Sequence, residues 1–186
     1  AYAASTKIRS VIGEFSNALG MTFMTFVGQN YGAQKYDRIK DGVRMGVILS
    51  ILIHIPLSAI EIFGGKRIAS LMVTDLSVLE LCRQYLLIVG IFVFFLGFLM
   101  VFRNCIQGMG NTWIPMLSGG LEVISRLIFG YCLGRHSFMG IAAAEASAWI
   151  SVSIMLGSSF FILFRKVLRT QTPENATDTE NIGRVS

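Results

Sequence analysis

The sequence predicts an all-α integral membrane protein with about five transmembrane helices. Two observations carry that reading. First, 53% of the 186 residues are hydrophobic and only 15% are charged, against roughly 25% charged in a typical soluble domain. Second, the charges cluster around residues 35–44, 61–67, 75–83 and beyond 165. The apolar stretches between them approach the ~20 residues that cross a bilayer as helix. This pattern excludes a soluble enzyme domain. The net charge of +5 sits at the ends of apolar runs, not on one face with interleaved aromatics, so no nucleic acid is expected as a partner. Cys82, Cys105 and Cys132 are odd in number and lack metal-ligand spacing, which argues against a disulfide framework or a metal site. No basic region followed by a short apolar core and cleavage site opens the sequence, so no signal peptide is expected in it. It begins at Ala1 without an initiator Met, and the expectation is a piece of a longer protein.

Each helix follows from its apolar run. The first, about 8–33, is the least apolar and carries Arg9, Glu14 and Asn17. The second, about 43–63, contains His54 and Pro56; the third, about 82–108, centres on the run from Tyr85 to Phe102. The fourth, about 113–134, contains Glu122 and Arg126, and the fifth, about 138–165, opens with small residues and ends in Phe160-Phe-Ile-Leu-Phe164. Residues 1–168 thus form one transmembrane bundle. The polar tail, 169–186, has almost no apolar content and is expected to be disordered. One set of loops and ends holds Lys35, Arg38, Lys40, Arg44, Arg103, Arg165, Lys166 and Arg169, and the other holds Lys66, Arg67, Arg83 and Arg135. This bias places the 34–44 loop and the C-terminus in the cytoplasm.

Ionisable groups inside membrane helices are costly and need a partner or a task. Ser118, Glu122, Ser125 and Arg126 share one face of the fourth helix, and Glu122 precedes Arg126 by four residues. That arrangement is either a structural ion pair or a polar patch lining a cavity for substrate or coupling ion. Ser10, Glu14, Asn17 and Thr25 form a second stripe on the first helix. It suits either helix packing or the binding of a proton, sodium ion or cationic drug. Gly140, Ala144 and Ala148 form a small-residue ridge for close packing. Glu145 beside it is expected to point to water, and Glu61 to reach out to the interface from a helix end. His54 is expected to bond the carbonyl that Pro56 leaves free. Gly28, Gln29, Gly32, Gly108 and Gly110 fall where one helix ends and the next begins, and suit tight turns.

Phe26-Val-Gly-Gln-Asn-Tyr-Gly-Ala33, followed by a basic loop, resembles a hallmark of the multidrug and toxic compound extrusion (MATE) family. So does Phe102-Arg-Asn-Cys-Ile-Gln-Gly-Met-Gly-Asn-Thr112 with Pro115 downstream, as do the Glu122–Arg126 helix and the run from Gly140 to Trp149. The resemblance covers about residues 1–166. It implies a two-lobe (6+6) antiporter bundle in a bacterial plasma membrane, of which this chain matches the last five helices of the C-terminal lobe. Members exchange drugs or metabolites, often organic cations, for protons or sodium ions, and need no other cofactor. The expected partners are membrane lipid, the missing N-terminal lobe and a small-molecule substrate. The cavity candidates carried over are Glu14, Asn17, Glu122 and Arg126, while the glycine motifs are read as structural. The third helix departs from members that carry an acid there: none stands between Arg83 and Arg103. With one repeat alone, alternating access fails, so the chain is expected to be incompetent by itself. Alternatives are a non-transporting assembly subunit and a lipid-linked oligosaccharide flippase of the same superfamily. No nucleophile–base pair or nucleotide loop suggests an enzyme.

Overall fold

The computed structural model describes residues 2–135 and 137–170, and these form an all-helical bundle. Helix α1 is Tyr2–Gly32 and α2 is Tyr36–Ala59; a π-helical turn, Ile60–Gly64, runs on into α3, Gly65–Ser70. Then follow α4, Leu76–Gly108, α5, Trp113–Gly134, and α6, Phe138–Thr170. Among the described residues, four rods are long and apolar enough to cross a membrane: Tyr36–Ser70, Leu76–Gly108, Trp113–Gly134 and Phe138–Arg169. Helix α1 has the length, at 31 residues, but is too polar to join them. The chain is an integral membrane protein.

The helices overrun their apolar cores. The basic stretch expected as a loop at 34–44 is mostly helix, because α2 starts at Tyr36. Helix α4 starts at Leu76, where the Asp75 carboxylate caps it by accepting from Ser77 N (2.8 Å) and Val78 N (3.3 Å). Hydropathy finds only the part of a helix that hydrocarbon surrounds; charged first and last turns continue the same helix into the interface. Arg169 and Thr170, expected in the tail, are likewise the end of α6, and the rest of the expected disordered tail, 171–186, lies outside the described residues.

Helix α4 is the pillar. It packs against α1, α2, α3, α5 and α6. Its Tyr85, Leu86, Val89, Val93 and Leu99 are wholly buried, as are Trp149, Val152 and Leu156 of α6. Paired positions set the directions. Tyr2 meets Tyr85 while Gly28 meets Gly108, and Tyr85 meets Phe138 while Phe102 meets Phe160. So α1, α4 and α6 run parallel, with α2 and α5 antiparallel to them. Helix α5 rests chiefly on α6, where a Cβ on Gly140 would strike the Leu133 carbonyl. The ridge of Gly140, Ala144 and Ala148 is buried, as close backbone packing in a membrane requires.

The two glycine motifs divide differently from the expectation of turns. Gly28 and Gln29 lie inside α1, and Gly32 is its last residue. A Cβ on Gly108 would stand 2.5 Å from the Met24 carbonyl oxygen and 3.2 Å from Gly28 N, so Gly28 and Gly108 let two backbones cross. Gly110 is the true turn residue, at φ +83, a conformation that costs glycine least. At the first connection the positive φ (58) falls on Gln34.

Candidate functional site

Charged side chains on four helices form two ion-paired clusters in the bundle. On α5, Glu122 Oε1 accepts from Arg126 at 2.7 Å, the intrahelical pair that the spacing allows. Its other oxygen accepts from Arg103 of α4 at 3.0 Å. One carboxylate therefore serves two guanidinium groups, and the trio carries a surplus positive charge. The side chains of Arg103, Glu122 and Arg126 are 22%, 18% and 40% exposed, so the surplus faces outward through Arg126. Ser118 and Ser125 on the same face are buried. Ser118 Oγ donates to the Pro115 carbonyl at 2.7 Å, which occupies it within its own helix.

A second cluster joins the first and last helices. Arg9 Nε lies 3.2 Å from Glu145 Oε2, and its guanidinium stands over the Trp149 ring, 5.6 Å from the centroid. The Tyr2 hydroxyl donates to Glu145 Oε1 at 3.4 Å. Glu145 does not point to water as expected: only 5% of it is exposed. Its place among small residues puts it against α1, where Arg9 offers the opposite charge.

Glu61 also departs from expectation. The π turn that follows Pro56 carries it inward, and it is 1% exposed. Proline removes one helical hydrogen bond, and the wider π turn re-aims the next residues. Gly90 of α4 makes the room, since a Cβ there would stand 3.1 Å from the Glu61 Cβ. Neither Glu61 oxygen has a hydrogen-bond partner among the described residues. Next to it, Ser58 Oγ donates to the Gly90 carbonyl at 2.7 Å.

His54 is fully buried. It does not reach the carbonyl freed by Pro56, which belongs to Leu52 one helical turn back. Its Nδ1 instead donates to the Ser50 carbonyl at 2.7 Å, and its Nε2 is hydrogen-bonded to Ser16 Oγ of α1 at 2.7 Å. The ring ties α1 to α2, in space left open by Gly97.

Glu14 and Asn17 stand apart from both clusters. Both are exposed on α1, whose buried face is Ile8, Ile12, Ser16, Phe23 and Val27. The structure thus joins Glu122 to Arg126 but not to Glu14 or Asn17. The ion-pair members that spacing did not yield are Arg103, Arg9 and Glu145. One signal pointed to Glu145: it is the one charge in the stretch 138–164, and such a charge needs a partner.

Long apolar helices joined by partly buried ion pairs define a polytopic membrane protein. The MatE family model matches residues 1–132 of the 186. The chain belongs to the MatE family, whose members are transporters and not enzymes. It is similar to the probable multidrug resistance protein NorM of Thermotoga maritima, at 24% identity over 149 residues, 78% of this chain and 31% of that protein. A NorM of Bacillus cereus matches at 24% over 179 residues, 95% of this chain and 39% of its own length. An FAD transporter of Shewanella oneidensis is 30% identical over 111 residues, 58% of this chain and 24% of that protein. The chain thus spans between about a quarter and two fifths of the curated relatives it matches.

Proposed function

We propose that the chain forms the C-terminal-lobe bundle of a secondary active antiporter, which exports a drug or metabolite, organic cations foremost, against protons or sodium ions. The observation that carries this reading is Glu122, a membrane-embedded carboxylate shared by Arg103 and Arg126 in a chain of the MatE family. Intramembrane charge is retained where it has work to do. Glu122 ties its own helix, through Arg126, to the pillar α4, through Arg103. A ligand or ion that competes for this one carboxylate would bias how α5 is held to α4, the minimum for coupling. Alternating access needs a second repeat, so the remainder of the relatives' length is the expected partner. The C-terminal end of α6 lies on the cytoplasmic side by the positive-charge bias.

The test is ethidium efflux from a drug-sensitive bacterial strain carrying the complete reading frame, the 186-residue chain alone, or the frame with Glu122→Gln. Efflux is expected from the complete frame only, with Glu122→Gln lowering it at least tenfold. Efflux by the chain alone at equal expression would overturn its dependence on a second lobe. Unchanged efflux in Glu122→Gln would remove Glu122 from the coupling machinery.

A second reading has its own support. The surplus positive charge of the Arg103–Glu122–Arg126 trio suits an anionic, phosphate-bearing substrate, and one relative is named as an FAD transporter. Counterflow in proteoliposomes separates the two. Ethidium exchange supports the cation reading, and FAD exchange without ethidium exchange replaces it. The flippase alternative draws on the same arginines without a relative to support it, and the assembly-subunit alternative would predict no efflux from the complete frame.

A further inference from the structure

Where α2 begins and α6 ends, a groove of about 790 Å³ opens between α2, α4 and α6. Lys40 and Arg44 stand one helical turn apart on its α2 side, Arg165 faces them from α6, and all three are exposed. Among the described residues, no acidic residue lines the groove. None of the three cations forms an ion pair among the described residues. Asp41, next to Lys40 in sequence, lines the neighbouring groove with Arg38. Below the cations the lining is apolar, made chiefly by Phe102, Phe160 and Phe161. Phe161 is four residues deeper along α6 than Arg165, which is ~6 Å at the helical rise of about 1.5 Å per residue. Val47, also in the lining, is seven residues deeper along α2 than Lys40, or ~10 Å.

A charged rim above an apolar trough, opening sideways from a membrane bundle, fits an amphiphile lying along the helices. We infer that this groove binds an anionic phospholipid, its phosphate held by Lys40, Arg44 and Arg165 and one acyl chain laid against the phenylalanines. Three cations in a groove whose described lining holds no acid select for negative charge and against a zwitterionic headgroup. A soluble anion would satisfy the rim but leave the trough to solvent. Basic recesses between membrane helices recognise such headgroups through this combination of charge and apolar contact. The inference depends neither on the transport reading nor on which leaflet the groove meets.

The experiment is native mass spectrometry of the complete protein carrying this chain, released from bilayer discs of mixed phosphatidylglycerol and phosphatidylcholine. Retention of phosphatidylglycerol over phosphatidylcholine is expected. Each cation near a headgroup contributes about fivefold, so K40Q/R44Q/R165Q should lower that preference on the order of a hundredfold. The control K66Q/R67Q/R135Q removes the same charge from exposed positions at the opposite end of the bundle and should retain the preference. Thermal unfolding in pure phosphatidylcholine discs confirms that both variants remain folded. Equal loss in the two triple variants, or no preference in the parent protein, overturns the site. Release of the lipid by excess inorganic phosphate overturns the choice of a lipid over a free anion. No transport measurement enters, so failure of the antiporter reading leaves the outcome intact.

Discussion

Glu61 and Glu122 are both carboxylates inside the bundle, yet they stand in opposite circumstances. Glu122 holds two guanidinium groups, and Glu61 holds no hydrogen bond among the described residues. Glu122→Gln leaves two cations sharing a neutral amide. Breaking a buried ionic pair costs about 3–5 kcal/mol; partial exposure of this trio lowers the expectation to about 1–3 kcal/mol. Glu61→Gln keeps the volume and removes a buried acid that accepts no hydrogen bond among the described residues, so it should hold or raise stability by about 1 kcal/mol. Unfolding midpoints of the two variants in the same bilayer discs decide it. A fall for Glu61→Gln as large as for Glu122→Gln would mean that its carboxylate has a partner after all. At this scale the sequence was legible only within a helix. The Glu122–Arg126 pair follows from spacing, but Arg103 is tied in from α4 and Arg9 reaches across to α6. Spacing also showed that Glu14 and Asn17 share a stripe. It did not show that the neighbours pack on the other face, where Ile8, Ile12 and Val27 lie.

At the scale of elements, glycines separate into those that a neighbour requires and those that it does not. A methyl on Gly108 would stand 2.5 Å from the Met24 carbonyl oxygen, a backbone atom that cannot rotate away. Gly108→Ala should therefore spread α1 from α4 and cost about 1–3 kcal/mol, outweighing the smaller gain in helix propensity. Gly120, inside α5, has nothing within 4 Å of its would-be Cβ, and Gly120→Ala should gain about 0.5–1 kcal/mol. Opposite shifts in the unfolding midpoint test the distinction, and equal shifts would refute the crossing as its cause. The four apolar rods could be read directly, since hydrocarbon demands an unbroken apolar run. Their extra turns could not, because an interfacial turn is charged whether it is helix or loop. Nor could the π turn, which appears only as a register change after Pro56.

For the whole molecule, cysteine exposure converts orientation into a measurement. Cys82 and Cys105 are buried, whereas Cys132 is exposed near the end of α5, opposite to the end where α6 finishes. With the C-terminus in the cytoplasm, a membrane-impermeant maleimide added to intact cells should label Cys132, and Cys132→Ser should abolish the signal. Labelling of Cys132 only in inverted vesicles would reverse the orientation.

The Arg9–Glu145 pair also has a chronology. The two residues belong to the first and last long helices, so Arg9 is synthesised long before the carboxylate that neutralises it. An arginine without its counter-charge opposes insertion of an isolated helix, and α1 is the long helix whose apolar content falls short of a span. The four apolar rods can enter the bilayer on their own merit. Within this bundle α1 would therefore be made before α6 yet settle after it, held at the interface until α6 arrives to receive it.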